Sequence, residues 1–592
     1  MCGICGELKF DGSQPDLQAV TRMMGKLARR GPDHGGSFSD GALAFGHRRL
    51  AVIDLSVRAN QPMVDAELGL ALVFNGTIYN YPELRKELQA RGYHFFSDGD
   101  TEVLLKAYHA WGAACVEKLR GMFAFAVWDM NQRSLFLARD RFGIKPLYYS
   151  LDTKRVRFAS NMQALLAAGE VDTSIDAVAL HHQFTLHAVV PAPHTILNGV
   201  RKLAPATTLT FDRRGHVTEL CYWQLQAQRP AQERSEADWI EALRAKLKET
   251  VDRHRMIADV PVGVLLSGGL DSSLLVGLLA DHDVTNLHTF SIGFEDVPEE
   301  KGSEFEYSDQ VVAHFKTRHH KFTIPNRDVL ARLPEAVAQM AEPMVSQDAV
   351  AFYLLAERVA REAKVVQSGQ GADEVFGGYF WYPRMDAEVG SELDKFRKHY
   401  FDRSHAEFLE TVTPDYHGAD HTAALIERLL AAPGADTFID RVLRMDATTL
   451  LVDDPVKRVD NMTMAFGLEA RVPFLDHELV ELAAQMPPEL KLKSGGKHAL
   501  KVIARGLIPD GVIDRPKGYF PMPALKYVRG EFLDFMRNVL NSPACRERGV
   551  FDRVYVDKLL AAPERYMTLL QGSKLWHLAL LEFWLQVNVD GA

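Results

Sequence analysis

Apolar residues in the first part of the chain, to about residue 225, come in short runs broken by turn signals. The runs 70–74, 123–128 and 134–138 have strand length, and Asn75-Gly76 and Asp129-Met130-Asn131 read as turns after two of them. Between the runs, 82–91 and 102–112 carry helical spacing. The mixture predicts an α/β layered domain over 2–225. The segment QAQRPAQERSEAD has no apolar periodicity, which predicts a linker over 226–240. A second domain is then expected over 241–592. Ile240, Leu243, Leu247 and Val251 recur at helical spacing, and the nearly unbroken apolar run 260–266 reads as a buried parallel strand. The runs 287–293 and 364–366 predict further strands of that sheet, and the last ~150 residues read as mainly helical. There is no internal repeat and no low-complexity tract.

Composition narrows the function classes. The 592 residues are 47% hydrophobic and 25% charged, an ordinary globular mixture that allows two to four domains. The formal net charge is −10 without a long basic block, which argues against nucleic acid as a partner. Anionic substrates must therefore be held by local lysines and arginines. Five scattered cysteines suit a reducing compartment rather than a disulfide framework. No apolar stretch reaches the ~18 residues of a membrane span. The start lacks the order of a signal peptide, so a cytoplasmic location is expected.

Two places carry chemistry. The chain begins Met1-Cys2-Gly3-Ile4-Cys5-Gly6, and removal of Met1 would give Cys2 both a thiol and a free α-amine. An amine of pKa about 7.7–8.0 can take the thiol proton and create a nucleophile. On this pair alone, a cysteine that merely follows Met1 is the simpler reading. Asn75 and Gly76 could supply a side-chain amide and a backbone N–H to an oxyanion, although alone they are only a hairpin turn. The second place is Ser267-Gly268-Gly269-Leu270-Asp271-Ser272-Ser273, which follows the apolar run and opens a helix. Its glycines, hydroxyls and helix N-terminus suit phosphate, and Asp271 could hold Mg²⁺. The spacing is not that of a Walker A loop.

Several motifs fall in one order: MCGICG, Arg30-Gly31-Pro32-Asp33, the run 47–54 (HRRLAVID), FNGTIYN at 74–80, Asp100-Thr101-Glu102 and the run 138–149 (ARDRFGIKPLYY). The ordered set resembles the class II, N-terminal-nucleophile glutamine amidotransferases over about 210 residues. The resemblance implies Cys2 as nucleophile, Asn75 with Gly76 as oxyanion hole, Arg49 on the glutamine carboxylate and Asp100 on its amino group. A zwitterion does need one cation and one anion placed opposite each other. Thr77 is a departure, since asparagine synthetases usually carry Glu there.

SGGLDSS resembles the pyrophosphate loop of ATP pyrophosphatases. With the run 368–379 (SGQGADEVFGGY), the run 467–476 (GLEARVPFLD) and the run 495–500 (GGKHAL), it resembles the synthetase domain of glutamine-hydrolysing asparagine synthetases. The likeness then spans nearly the whole chain. It implies an αββα glutaminase layer domain followed by a doubly wound α/β ATP-pyrophosphatase domain with a helical C-terminal part. It implies ATP cleaved between its α- and β-phosphates at Leu266, Ser267, Gly268, Gly269, Asp271, Ser272, Ser291 and Gly369. Mg²⁺ would be shared by Asp271 and Asp373, with Lys497 stabilising charge that develops in the reaction. The implied substrates are glutamine, ATP and a carboxylate acceptor. Ammonia would cross an internal tunnel along the domain interface, and a homodimer is the assembly the reading allows.

Three departures bear on the acceptor. Gln370 stands where asparagine synthetases have Glu, Ser346 where an Asp is usual, and Asn161 where FASE has Glu. The run EPMVSQDAVAFYLLAERV and the later VVQSGQGADEVFGGYFWYP look like the subgroup that amidates N-acetylglutaminylglutamine. Acceptor-site candidates are Ser346, Gln370, Asp373 and Glu374. Aspartate, as in asparagine synthetase, is the alternative acceptor. A β-lactam-forming relative would lack Cys2, and a non-catalytic relative would have lost the nucleophile or the nucleotide loop. The groups His181, His182, His187, His194 and His319, His320 lack acidic or cysteine neighbours at metal-ligand spacing and read as structural. Cys5 is expected to be buried rather than a redox partner of Cys2.

Overall fold

The computed structural model describes residues 2–591 apart from 283, 285, 297–300, 347, 517, 519–522 and 571. Twelve strands occupy the first part: β1 (Cys2–Lys9), β2 (His34–Asp40), β3 (Leu43–Arg49), β4 (Met63–Asp65), β5 (Leu70–Ile78), β6 (Gly121–Asp129), β7 (Ser134–Arg139), β8 (Tyr148–Leu151), β9 (Arg155–Ala159), β10 (Arg201–Lys202), β11 (Thr207–Phe211) and β12 (Val217–Cys221). They make two six-stranded antiparallel sheets, ordered β10-β8-β9-β1-β3-β2 and β12-β11-β7-β6-β5-β4.

Period-two alternation explains the layering. In β1, Ile4 and Leu8 pack between the sheets with Phe45, Val73, Ala124 and Phe158, whereas Cys5 faces the helices Leu17–Lys26 and Met162–Ala168. On the far side, Phe74, Phe123 and Phe125 pack under the helix Asp100–Trp111 through Val103 and Leu104. The result is helix, sheet, sheet, helix, as the resemblance implies.

The expected turn at Asn75-Gly76 is corrected. Both residues lie inside β5, paired with Ala124 and Phe123 of β6. The register of a long buried strand overrides the local turn preference of the dipeptide. A Cβ on Gly76 would lie 2.1 Å from the Met122 carbonyl oxygen, so glycine is required there by close approach.

Among the described residues the second part holds five parallel strands: β13 (Val262–Leu265), β14 (His288–Phe294), β15 (Arg318–Ile324), β16 (Val365–Gln367) and β17 (Glu469–Arg471), in the order β15-β14-β13-β16-β17. The helix Leu270–Asp281 packs on one face through Leu274 and Leu275, and the helix Asp348–Val359 on the other through Val350 and Leu354. This is a doubly wound sheet. Chain direction reverses outward between β13 and β16, so the crevice beyond their C-terminal ends is the topological switch point where such sheets bind ligands.

The segment read as linker is packed. Leu225 and Ala227 are buried, Ala227 bridges Ala435, and the helix Glu236–Met256 begins within 226–240. A capping box between Ser235 and Asp238 starts that helix, and Trp239 is buried by it. Further on, residues 438–464 form one continuous helical run with two widened five-residue turns, Asp446–Leu450 and Val452–Val456, the second containing Pro455.

Candidate active sites

Cys2 opens β1 and is paired with Arg49 of β3, which buries it at the sandwich edge. Its backbone nitrogen donates to Asn75 Oδ1 at 2.9 Å. That bond fixes the Asn75 amide, whose buried Nδ2 has no hydrogen-bond partner among the described residues. A buried donor without an acceptor is what an oxyanion hole offers before a reaction. Burial pushes the Cys2 thiol up, opposed by the Leu50 N–H and the Arg49 guanidinium beside it. Arg49 donates to Ser56 O at 2.9 Å, to Asn60 Oδ1 at 2.7 Å and to Asp54 O, so it ties down the loop after β3.

Asp100 begins the helix Asp100–Trp111 and accepts the Ile78 N–H at 3.0 Å. Burial pushes its carboxyl up to about 6, against that hydrogen bond. If Asp100 receives the substrate ammonium, it must be ionised, and below pH 6 it is not. The expected result is that kcat/KM for glutamine hydrolysis falls about tenfold per unit below pH 6, mainly through KM. A glutamate-release assay from pH 5 to 8 checks this; a flat profile would remove Asp100 from that role.

Two residues of the second domain reach this site. Thr77 Oγ1 donates to Glu469 Oε1 at 3.2 Å, and Glu469 is clamped by Arg471 Nε at 2.7 Å. Both are fully buried. Arg30 Nε donates to the Cys2 carbonyl at 3.3 Å while its NH1 pairs with Asp460 at 2.9 Å, and Lys145 reaches Asp460 at 3.4 Å. Burial works against ionisation of Asp460, but Arg30 and Lys145 hold its carboxyl below the ordinary range.

The second site is a cleft of about 800 Å³ at the switch point. After β13 the loop turns at Gly268 (φ +79°) into the helix Leu270–Asp281. Ser272 Oγ accepts the Ser267 N–H at 3.2 Å, Ser267 Oγ accepts the Gly269 N–H at 3.2 Å, and Ser291 donates to the Leu266 carbonyl. Arg515, which also lines the cleft, holds the loop by donating to Gly268 O at 3.0 Å. After β16, Gly369 touches the same loop: a Cβ there would lie 3.0 Å from Asp271 Cβ.

Lys497 Nζ sits between Asp271 Oδ2 at 2.6 Å and Asp373 Oδ1 at 2.8 Å. Its backbone is left-handed (φ +54°), and Gly378 makes room, since a Cβ there would lie 2.2 Å from Lys497 Cε and 2.1 Å from Asp373 Oδ1. Glu374 is buried and accepts the Tyr379 hydroxyl at 2.7 Å; burial and the Asp373 charge push its carboxyl up. Asp348, Phe352, Gln370 and Arg458 line the rest, with Arg458 bound to Asp454 at 2.7 Å and 3.7 Å from Asp348.

Residues 242–586 match the family model described as asparagine synthase, and residues 1–223 match the one described as glutamine amidotransferase domain. The chain belongs to the asparagine synthase family. Glutamine-hydrolysing asparagine synthetase 1 of Bacillus subtilis is 31% identical, covering 100% of this chain and 97% of its own length. Asparagine synthetase 3 of the same organism is 32% identical over 100% of both chains. A putative asparagine synthetase of Methanocaldococcus jannaschii is 36% identical over 67% of this chain and 78% of its own. This member of the asparagine synthase family is thus a glutamine-hydrolysing, asparagine-synthetase-like carbon–nitrogen ligase. No helix among the described residues is long and apolar enough to cross a membrane.

The family uses ATP, and these residues fit it with a divalent cation. A helix N-terminus and a Gly/Ser loop face the cleft, and two carboxylates converge on one positive centre, Lys497 Nζ. Asp271 and Asp373 would hold the cation, whose chemistry is to offset the negative charge of a pyrophosphate leaving group.

The family-like ligase brings together Cys2, Asn75, Gly76, Arg49 and Asp100 at one site, and Ser267, Gly269, Asp271, Gly369, Gln370, Asp373, Glu374 and Lys497 at the other. Ser346 is different. It does not line the cleft; its carbonyl accepts the Ala349 N–H where the chain enters the helix Asp348–Val359, and Asp348 reaches the cleft instead. Asn161 is a helix cap, its Oδ1 accepting the Ala164 N–H at 3.0 Å. Cys5 is buried, as expected. Glu469 and Asp460 were not singled out from the sequence, because only the fold brings them to Cys2. Arg458 and Asp348 likewise had no local signal.

Proposed function

We propose that the chain couples a glutaminase over 2–225 to a carboxylate-adenylating synthetase over 241–592, joined through 226–240, and works in the cytoplasm with ATP and Mg²⁺. In this reading Cys2 attacks the glutamine amide, and Asn75 and Gly76 receive the oxyanion. Arg49 and Asp100 hold the substrate's ends. Ammonia then passes along the domain interface to an acyl-adenylate formed with release of pyrophosphate, where Lys497 offsets the developing charge. The acceptor we propose is N-acetylglutaminylglutamine, and the chain is its amidotransferase.

The observation that carries the acceptor is Gln370, a neutral amide in the cleft wall where aspartate-using relatives carry a carboxylate. An N-acylated dipeptide brings no ammonium, so an unpaired carboxylate at this half-buried position would be a liability. The cleft volume of about 800 Å³ lies high in the range of roughly 300–1,000 Å³ for ligand pockets, which suits a nucleotide with a dipeptide. Aspartate is the second reading. It is favoured by Asp348, a carboxylate in the cleft that an α-ammonium could meet.

Pyrophosphate release measured with aspartate, glutamate and the acetylated dipeptide, at saturating ATP and ammonia, separates the two. Turnover of the dipeptide is expected, and Gln370→Glu should impair it. Efficient turnover of aspartate with none of the dipeptide would make the chain an asparagine synthetase.

A further inference from the structure

Outside the cleft lining, though within electrostatic reach of its Arg458 and Asp348, three residues separated along the chain meet in the interior. His187 follows the helix Ala177–Thr185, Asp402 precedes the helix His405–Thr411, and His577 lies in the helix Lys574–Leu585. His187 Nδ1 is 2.9 Å from Asp402 Oδ2, and His577 Nδ1 is 3.8 Å from that same oxygen. One donor atom from each lies within 4.8 Å of the others.

His577 is fully buried, and neither of its ring nitrogens has a hydrogen-bond partner among the described residues. The second Asp402 oxygen, Oδ1, is also buried without one. A His187–Asp402 ion pair accounts for only half of this arrangement, because it leaves an idle imidazole and an idle oxygen desolvated. The neighbouring cations are engaged elsewhere: Arg403 donates to Phe184 O, Lys574 O and the Tyr555 hydroxyl, and Lys574 pairs with Glu407 at 2.6 Å. His187 and Ala188 both have left-handed backbones (φ +54° and +59°), a cost incurred to aim the imidazole inward.

We propose that His187, Asp402 and His577 form a binding site for a divalent transition-metal ion, Zn²⁺ foremost. Metal–ligand bonds of about 2.0–2.2 Å around a tetrahedron place donor atoms about 3.3 Å apart, within the spread seen here. Two imidazoles and one carboxylate are a donor set of the right softness for Zn²⁺, Co²⁺ or Fe²⁺ and the wrong one for Mg²⁺. The bound ion cross-links the end of the amidotransferase-domain polypeptide to the C-terminal helices. The second histidine group, His181 with His405 and Asp420, is already satisfied internally: His181 binds Thr422 at 2.9 Å and His405 at 3.0 Å, and Asp420 caps a helix through the Ala423 N–H.

Full-length protein stripped with a chelator, free of nucleotide and Mg²⁺, is titrated with CoCl₂ and separately with ZnCl₂. One equivalent of Co²⁺ per chain is expected, with visible d–d bands of nitrogen–oxygen ligation and no thiolate charge-transfer band. Metal retained after desalting should fall at least tenfold in His577→Gln and in Asp402→Asn, and remain in His405→Ala. Zn²⁺ should raise the melting temperature of the stripped wild type and leave that of His577→Gln unchanged. The wild-type cobalt spectrum stands even where a variant folds poorly. Absence of stoichiometric binding, or binding that survives His577→Gln and disappears in Cys2→Ser, would overturn the proposal.

Discussion

Cys2→Ala is expected to lower glutamine-dependent product formation by roughly 10⁴-fold or more, the usual cost of deleting a covalent nucleophile. Ammonia-dependent synthesis should stay within about twofold of wild type, because the second site makes no use of the thiol. The structure supports that separation. The Cys2 backbone carbonyl is held by Arg30, which in turn pairs with Asp460 of the synthetase half, and alanine keeps that carbonyl and the bond from its nitrogen to Asn75. Product assays with glutamine and with ammonium chloride, on the same preparation, decide it. A folded variant that loses both activities would mean that the two chemistries are not divided between these sites.

Lys497→Ala is expected to slow AMP formation by roughly 10²–10³-fold, the effect of removing one preorganised charge from a transition state. Basal glutaminase activity should be unchanged. The ammonium also separates Asp271 from Asp373, so its loss sets two carboxylates against each other at the mouth of the nucleotide loop. Gly378→Ala should reproduce much of the defect without altering any charge, since its Cβ would displace Lys497 Cε and Asp373 Oδ1 together. Single-turnover AMP release with ATP and acceptor measures both variants; a normal rate in Lys497→Ala would exclude the lysine from the chemistry.

Much of the fold was legible because burial writes a period into the chain. The runs 70–74, 123–128 and 134–138 lie within β5, β6 and β7, and the unbroken apolar run before Ser267 is the central parallel strand. Local preference failed where pairing outweighed it. Asn75-Gly76 has the composition of a turn, yet nine consecutive residues of β5 stay in register with β6. The ends of 226–240 were hidden for a similar reason, since Ser235 and Asp238 look like loop residues until they are seen as a helix cap. Residues supplied across the domain interface were not legible at all. Arg30 and Asp460 are 430 positions apart, and no periodicity connects them. Ser346 shows the converse error, in which a residue conspicuous by its type lies outside the cleft, while Asp348 two positions on lines it.

The continuous helical run 438–464 sends carboxylates in several directions at once. Asp446 accepts the Tyr382 hydroxyl, Asp453 meets Lys202 at 2.7 Å, Asp454 meets Arg458 at 2.7 Å, and Asp460 meets Arg30 at 2.9 Å. Each residue gained or lost along a helix rotates everything beyond it by about 100°. An insertion or deletion anywhere in this run would therefore misdirect several of these acids together, across two domains, with no loop to absorb the change. The widened turns at Asp446–Leu450 and Val452–Val456 are themselves the length change that phases the acids correctly. In evolutionary terms the run should behave as a fixed-length ruler, its residue count held by several buried pairings at once.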